Sequence, residues 1–275
     1  MSRARTVAAA KINLALVVGP RREDGLHEVA TALQRIDVCD RVEIAPGEGL
    51  TVVGFEDTIV GSALRRLAAE AGVSPTWHVR IGKEIPVAAG LGGGSADAAA
   101  ALRLANSALP EPLAPERLTS VAAAVGADVP FFLVPGPKLA EGAGARLTPL
   151  DLPQDYWVVV VLPRRLEKPS TGAVYARFDE LGGGSGFEKR KAALLEILAR
   201  VRTTADLAAL PANDLAEASG AAPWADDLRA AGAIRADVSG AGPAVYGLFE
   251  SRREARSAAR RFGRRDRVWT VPPVW

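Results

Sequence analysis

The residues of this sequence that are best suited to chemistry lie in a glycine run that opens into an alanine-rich helical pattern. Glycines stand at positions 90, 92, 93 and 94, and Ser95 and Asp97 follow them. Glycine lets the backbone approach an anion closely, and the first N–H groups of a helix lack intrahelical partners. These donors and the helix dipole favour a di- or triphosphate. The sequence therefore predicts a phosphate-binding loop, with Ser95 as an N-cap or metal-facing hydroxyl and Asp97 in the first turn.

This loop differs from the two commonest phosphate-binding motifs. No lysine follows the glycines, as a P-loop requires, and the glycine spacing fits a dinucleotide motif poorly. The alternative is a glycine-rich connection that only lets the chain turn between a strand and a helix. The neighbouring Lys83, Ser95 and Asp97 favour the phosphate interpretation. The phosphate would then be held mostly by backbone dipoles, and the reacting groups must come from other parts of the chain.

Lys11 and Asn13 stand two residues apart in an otherwise apolar run. Side chains at this spacing point to the same side of an extended strand. A lysine and an asparagine that share one side of such a strand either reach solvent at a sheet edge or line a polar site.

Asp128 and His27 each allow two interpretations. Asp128 lies between small residues and the run Val-Pro-Phe-Phe-Leu. A carboxylate buried there would have to be paired, and such groups cluster at active sites, whereas an aspartate can also simply cap a helix or turn. His27 follows a turn and is either an ordinary surface imidazole or a hydrogen-bonding group in a substrate pocket. The residues alone leave both pairs of alternatives open.

The composition limits the class of protein. With 275 residues and 48% hydrophobic residues, the chain can form one large domain or two ordinary ones with a packed core. Its 34 basic and 32 acidic residues are too balanced to indicate nucleic acid as the main partner, and the arginine-rich stretch 252–265 is expected to be a solvated helix face. The single cysteine, Cys39, permits no intrachain disulfide and is expected to be a small core residue. No apolar run is long enough to span a membrane, so we expect a cytoplasmic protein.

Alternating strand and helix patterns must position these residues. Strands are predicted at 7–18, 77–81, 156–163, 234–238, 245–249 and 267–271, and helices at 58–71, 115–125, 188–202, 213–219, 222–231 and 251–263. The glycine run 181–186 lies between helical patterns and is interpreted as a flexible linker. Because residues 134–151 are dense in glycine and proline, we place a domain boundary near residue 150.

Three motifs, in this order, resemble those of the GHMP small-molecule kinase superfamily: residues 10–14, 86–99 and 237–244. The segments 21–28, 126–132 and 213–215 extend the resemblance over nearly the whole chain. The segments around His27 and Asp128 are similar to the branch that phosphorylates a diphosphocytidyl sugar alcohol in the non-mevalonate isoprenoid route. The resemblance implies a two-domain α/β protein, with a ribosomal-S5-like domain over 1–150, a ferredoxin-like domain over 151–275, and the site in the cleft between them.

The resemblance also implies roles for individual residues. Asp128 would be the general base, and Lys11 would keep it ionised and stabilise the transferred phosphoryl group. The implied ATP-binding residues are Lys83, Pro86, Gly90, Leu91, Gly92, Gly93, Gly94, Ser95 and Asp97. The implied substrate-binding residues are Asn13, Leu26, His27, Thr171 and Tyr175, and the loop with Ser239, Gly240 and Gly242 would shape the same cleft. Mg²⁺ is expected with ATP, and Ser95 is a candidate contact. The expected partners are ATP and a small molecule, without nucleic acid or membrane, in a monomer or homodimer.

This sequence departs from the family pattern at three positions. Leu26 stands where the family usually has a tyrosine that covers the cytosine, Thr58 replaces a frequent asparagine, and Ala145 replaces a common glutamate. One alternative is a kinase of the same superfamily for another alcohol, such as homoserine or mevalonate, and the His27 segment argues against it. Another is a non-catalytic binding protein with the S5-like fold. The near-neutral charge and the presence of Lys11, Asn13 and Asp128 argue against that alternative.

Overall fold

The computed structural model describes residues 3–55, 58–166 and 170–275. The strands are β1 (Ala4–Arg21), β2 (His27–Pro46), β3 (Thr51–Val53), β4 (Trp77–Gly82), β5 (Lys138–Gly142), β6 (Arg146–Pro149), β7 (Trp157–Leu162), β8 (Arg235–Val238), β9 (Val245–Phe249), β10 (Arg267–Val271) and β11 (Pro273–Val274). The α-helices are α1 (Thr58–Ala71), α2 (Gly93–Asn106), α3 (Pro115–Ala123), α4 (Thr171–Glu180), α5 (Phe187–Arg200), α6 (Ala216–Ser219), α7 (Ala222–Ala230) and α8 (Arg252–Phe262). Short 3₁₀ helices cover Pro130–Leu133 and Thr204–Ala209. None of the helices within the described ranges has the length and apolar character needed to cross a membrane.

The chain folds as two compact units that alternate along the sequence. The first unit consists of Met1–Ala10, Val38–Ala88 and Gly92–Pro135. The second consists of Lys11–Asp37, Ala89–Leu91 and Gly136–Trp275. The long strands β1 and β2 contribute residues to both units. The single boundary near residue 150 that the glycine and proline content indicates stays a prediction.

The first unit packs helices over a small sheet. The C-terminal part of β2 pairs antiparallel with β4, with Ile44 opposite Val79, and β3 runs parallel to β4. Helix α1 has the predicted bounds, and its apolar face is buried at Val60, Leu64 and Leu67. Helix α2 packs against α1, and its buried face consists mostly of alanines, which let two helices approach closely.

The second unit contains the N-terminal part of β2, which pairs with β5 and β11, and a separate antiparallel sheet with the order β10-β7-β9-β8. Helices α7 and α8 pack on this sheet and bury Leu228 and Phe262 against Val159 and Val161. The succession of a strand, helices, two strands, a helix and a strand is the ferredoxin-like arrangement that the family resemblance implies. Helix α8 keeps Arg252, Arg253 and Arg256 exposed, as expected of a solvated face.

Two local predictions are wrong, and one short helix was not predicted. Cys39 is only half-buried, because it points away from the face of β2 that buries Val38. The glycine run 181–186 is a hydrogen-bonded turn rather than a flexible linker: the Gly183 N–H donates to the Phe178 carbonyl at 3.1 Å. The 3₁₀ helix Thr204–Ala209 was not predicted, although Thr203 and Asp206 form a capping box at its start. The side chain of Thr58 lies outside the described part of the chain.

Candidate active site

Lys11 and Asn13 lie on one side of β1, in the second unit, and contact each other as the strand spacing predicts. Lys11 Nζ donates to Asn13 Oδ1 at 2.6 Å, and Asn13 Nδ2 donates to Thr31 Oγ1 at 2.8 Å. The Thr31 hydroxyl donates in turn to the Ala15 carbonyl at 2.6 Å. Lys11, Asn13 and Thr31 are each only 4% exposed. This series of hydrogen bonds orients the Asn13 amide, so that its oxygen faces the lysine and fixes the ammonium group.

The loop Ser239–Gly242 lies against this pair. A Cβ atom at Gly240 would be 3.5 Å from Lys11 Nζ and 3.4 Å from Asn13 Oδ1. The Ser239 hydroxyl donates to the Gly90 carbonyl at 2.9 Å. Gly90 has φ +83°, and a Cβ there would be 2.0 Å from the Ser239 carbonyl oxygen, so that only glycine fits. The second unit therefore brings together the first and third sequence motifs and part of the central one.

A buried polar network supports this loop from behind. Asn213 holds the loop on both sides of Ser239: its Nδ2 donates to the Val238 and Gly240 carbonyls at 2.9 and 2.7 Å. Asp237 Oδ2 accepts from the Asn213 N–H at 2.8 Å and from Arg235 at 3.1 Å. Burial raises the pKa of Asp237, although the charge of Arg235 and two backbone N–H groups oppose the shift. The network fixes the carbonyl of Gly240, and with it the loop that contacts Lys11.

Helix α2 and the glycines before it lie mainly in the first unit. Gly92 is the N-cap, with φ +71°, and the helix begins at Gly93. Ser95 is therefore the third helical residue rather than the N-cap, and Asp97 lies beyond the first turn. The predictions of Ser95 as N-cap and of Asp97 in the first turn are wrong, because Gly92 is the N-cap and the helix starts three residues earlier than it would after a serine cap at position 95. The alternative that the Ser95 hydroxyl faces a metal stays a prediction. Within the part of the chain that the structure describes, the N–H groups of Gly93, Gly94 and Ser95 open the helix and lack partners in the helix backbone.

Lys83 and the buried Asp97 form a partly buried ion pair below this helix start. Lys83 Nζ lies 2.8 Å from Asp97 Oδ2 and 2.5 Å from Asp40 Oδ2. Burial opposes the charge of Lys83, but the hydrogen bonds to the two carboxylates outweigh it and raise the pKa of Lys83 above its ordinary value. Asp40 was not among the residues predicted from the sequence. Its signal was an acidic residue on the same strand face as Val38 and Val42, which are both buried.

Asp128 lies in the first unit, in the turn between α3 and the 3₁₀ helix Pro130–Leu133. It is half-buried and not fully buried as the apolar sequence around it suggested. The difference arises because the turn keeps Asp128 near the surface while the following residues enter the core: Phe131 and Phe132 are 0% and 3% exposed. Arg103 donates to the Phe132 carbonyl at 2.5 Å and holds this segment against α2.

His27 and Tyr175 lie together in the second unit, as the resemblance implies. Their ring centroids are 4.8 Å apart, and His27 Nε2 is 2.8 Å from Asp179 Oδ1. Leu26, next to His27, is 52% exposed, and Thr171 is exposed at the start of α4. The Ser170 hydroxyl caps that helix by accepting from the Ala173 N–H. Sequence reasoning did not identify Asp179.

Two protein-family models match the chain. The model described as "GHMP kinases N terminal domain" matches residues 58–136, and the one described as "GHMP kinases C terminal" matches residues 220–267. A curated kinase from Anaeromyxobacter sp. (strain Fw109-5) is 39% identical over 94% of this chain and 86% of its own length. With these matches and the fold, the chain belongs to the GHMP kinases, which are small-molecule phosphotransferases that use ATP as phosphate donor.

The relatives named here and a similar solved structure are all the same kinase. The Anaeromyxobacter protein is a 4-diphosphocytidyl-2-C-methyl-D-erythritol kinase, and so is a relative from Geobacter sulfurreducens that is 37% identical over 97% of this chain and 96% of its own. A solved structure of 4-(cytidine 5'-diphospho)-2C-methyl-D-erythritol kinase covers 99% of this chain and 100% of its own, with 32% identity and a TM-score of 0.80. The α/β fold and the kinase activity are thereby confirmed. The roles of single residues stay predictions.

Proposed function

We propose that this protein transfers the γ-phosphoryl group of ATP to the 2-hydroxyl of 4-diphosphocytidyl-2-C-methyl-D-erythritol, in the non-mevalonate isoprenoid pathway. The observation that carries the proposal is the similarity, over nearly the whole chain, to relatives that bear this kinase's name. This similarity includes the His27 and Asp128 segments. It does not favour a kinase for homoserine or mevalonate, or a non-catalytic binding protein.

The glycine loop and the start of α2 would bind the ATP phosphates. The N–H groups of Gly93, Gly94 and Ser95 and the positive end of the helix dipole are suited to an anion. A Cβ at Gly93 would lie 2.9 Å from Ile85, so only glycine fits at the first residue of the helix without displacing Ile85. Lys83, Pro86, Gly90, Leu91, Gly92 and Asp97 complete the proposed nucleotide site. Mg²⁺ would neutralise the phosphates, with Ser95 as a candidate contact.

Asp128 and Lys11 would act on the reacting groups. Asp128 accepts the proton of the substrate 2-hydroxyl as its oxygen bonds to the γ-phosphorus. The bond between that phosphorus and the bridging oxygen breaks, and ADP leaves. Lys11 stabilises the negative charge on the transferred group, and the hydrogen bond to Asn13 Oδ1 keeps its ammonium in place before the substrates arrive. Phosphoryl transfer requires mainly such alignment and charge stabilisation, with one base at the nucleophile.

The cytidine part of the substrate would bind at His27. The base would lie near Tyr175, whose ring already contacts the histidine, with Leu26 covering one side and Asn13 and Thr171 as further contacts. The Nε2 of His27 is engaged by Asp179, which leaves Nδ1 to hydrogen-bond a ligand. We further propose a cytoplasmic protein that is a monomer or homodimer and binds neither nucleic acid nor membrane.

Consumption of ATP with a panel of alcohols tests this proposal. The purified protein with Mg²⁺ should phosphorylate 4-diphosphocytidyl-2-C-methyl-D-erythritol, and phosphorus NMR of the product should show a new monoester at the 2-position. Homoserine and mevalonate should give kcat/KM values at least about a thousandfold lower, because a site built for polar groups of a base rejects ligands that leave those groups unpaired. Turnover of either alcohol at a comparable rate, or no turnover of the diphosphocytidyl alcohol, would contradict the proposal.

A further inference from the structure

Asp40 has a fully buried carboxylate, and it has no role in the proposed function. It lies on β2 and is 0% exposed. Its Oδ1 accepts from the backbone N–H groups of Glu84 and Ile85 at 2.6 and 2.8 Å, and its Oδ2 accepts from Lys83 Nζ at 2.5 Å. One side chain therefore fixes three consecutive residues of the segment that leads into the glycine loop.

Lys83 extends this connection to helix α2. Its ammonium also donates to Asp97 Oδ2 at 2.8 Å, and Asp97 is 0% exposed. Asp40, Lys83 and Asp97 thus form a charged brace that joins β2, the segment 83–85 and α2, all within the first unit. A buried charge without its partner is very unfavourable, so each member holds the others in place.

The brace lies next to the first residue of α2 and leaves no room there for a side chain. A Cβ at Gly93 would lie 3.2 Å from Lys83 Nζ and 2.9 Å from Ile85 Cγ2. The N–H groups proposed to bind phosphate begin at this residue. Their directions therefore depend on where Lys83 and Ile85 are held, and Asp40 holds both.

We propose that Asp40 is a positioning residue for the nucleotide phosphates, which acts through Lys83 and Asp97 to fix the first turn of α2. The proposal rests on the proposed function, because it assumes that this turn binds ATP. It assigns Lys83 to the two carboxylates and gives it an indirect role in nucleotide binding. Hydrogen-bond donors that are aligned before the ligand binds need no reorganisation, and a displacement of about 1 Å can lower the rate about a hundredfold.

The variant Asp40→Asn tests the proposal, because asparagine keeps an oxygen for the two backbone N–H groups and removes the charge that holds Lys83. We measure binding of the non-hydrolysable analogue AMP-PNP with Mg²⁺ by calorimetry, and KM for ATP and for the alcohol in steady state. Asp40→Asn should weaken AMP-PNP binding and raise KM for ATP at least about tenfold, with KM for the alcohol changed less than twofold. Lys83→Met should weaken AMP-PNP binding to a similar extent. The double variant should bind AMP-PNP no more weakly than the single variant with the lower affinity, as expected of residues that act as one unit.

Leu67→Ala is the matched control. Leu67 is a fully buried core residue of the same unit, so its truncation should lower the melting temperature and leave AMP-PNP affinity unchanged. If this control and Asp40→Asn lose AMP-PNP affinity equally, Asp40 contributes only to the general stability of the fold, and the proposal is overturned. If Lys83 instead binds phosphate directly, Asp40→Asn releases it, and affinity is unchanged or higher while Lys83→Met loses it.

The same measurements separate this proposal from the proposed function. If the wild-type protein binds AMP-PNP but does not phosphorylate the diphosphocytidyl alcohol, the proposed function is contradicted. The AMP-PNP affinities of the variants then still decide whether Asp40 positions the nucleotide phosphates. Wild-type protein that does not bind AMP-PNP overturns both.

Discussion

At the scale of single residues, the hydrogen bonds of Lys11 give this side chain one fixed direction. A lysine loses up to about 2 kcal/mol of side-chain entropy when it is held in one place. Here the loss occurs when the protein folds, because Asn13 and Thr31 order the ammonium in the absence of ligand. Such an ammonium needs little rearrangement when negative charge develops next to it.

Asp128→Asn is the residue-scale test of proton transfer. The variant should lower kcat at least about a hundredfold, the smaller effect expected when a general base is lost. The Kd for AMP-PNP should change less than twofold, because the asparagine has the same shape. Glu116→Gln removes an exposed carboxylate of the same unit and should leave kcat unchanged. A normal kcat in Asp128→Asn would remove Asp128 from the role of base.

Leu26→Tyr tests the most unusual residue of the substrate site. Leu26 is 52% exposed, next to His27, and a tyrosine there would add a stacking surface for a base. Stacking contributes about 1 kcal/mol, so KM for the cytidine substrate should fall roughly fivefold. Leu181→Tyr, at a leucine that is 43% exposed in the same unit, should leave KM unchanged. An unchanged KM in Leu26→Tyr would mean that other groups hold the base.

At the scale of elements, the close approach of two glycine-containing loops organises the second unit. The Ala244 N–H donates to the Ala89 carbonyl at 3.0 Å, and the Ser239 hydroxyl donates to the Gly90 carbonyl at 2.9 Å. No side chain fits between the two segments at Gly90. Backbone from the central motif is thereby fixed directly to the loop that contacts Lys11.

Gly90→Ala and Gly232→Ala form a matched pair that isolates this approach. Both glycines have positive φ, +83° and +95°, but a Cβ at Gly232 has no heavy atom within 4 Å. Gly232→Ala should cost only the left-handed strain of about 1–2 kcal/mol in urea unfolding and keep its activity. Gly90→Ala should cost more and lower kcat/KM about tenfold to a hundredfold, because the loops must separate. Equal stability and activity of the two variants would show that the close approach does not matter.

At the scale of the whole molecule, a few partly buried charges tie distant elements together and make stability depend on pH. Glu141 on β5 contacts Lys191 on α5 at 2.8 Å and Arg146 on β6 at 3.1 Å. The hydrogen bond with Lys191 holds the pKa of Glu141 below its ordinary value, against the effect of burial. A carboxylate with a lowered pKa stabilises the folded state above its ordinary pKa, and this contribution disappears as the pH falls through the folded value.

Glu141→Gln should therefore lower the free energy of unfolding at pH 7 by up to about 1 kcal/mol. The difference from the wild type should shrink as the pH falls below about 4.5 and vanish once Glu141 is protonated in both states. Urea unfolding at several pH values measures this. The control Glu180→Gln removes an exposed partner of Arg177 and should show a much smaller difference at pH 7. A difference that stays constant down to pH 3 would contradict the assignment.

The sequence predicted well wherever one local rule decides the structure. The apolar spacing in α1 gave its bounds, and the two-residue spacing of Lys11 and Asn13 gave their contact. It failed where neighbours in space decide. Helix α2 begins after Gly92 and not after Ser95, and Asp40 is functional in our proposal only because residues 83–85 fold over it. Neither fact is visible in the local pattern of residues.

The sequence by itself determined the class of this protein: an α/β kinase, recognisable from three motifs whose residue types and order can be read directly along the chain. Only the tertiary structure decided how charges are matched. Lys83 lies 14 residues from Asp97 and 43 from Asp40 along the chain, yet it contacts both carboxylates. Burial makes such pairing obligatory, and which residues become partners depends on the packing of strands and helices that are far apart in sequence.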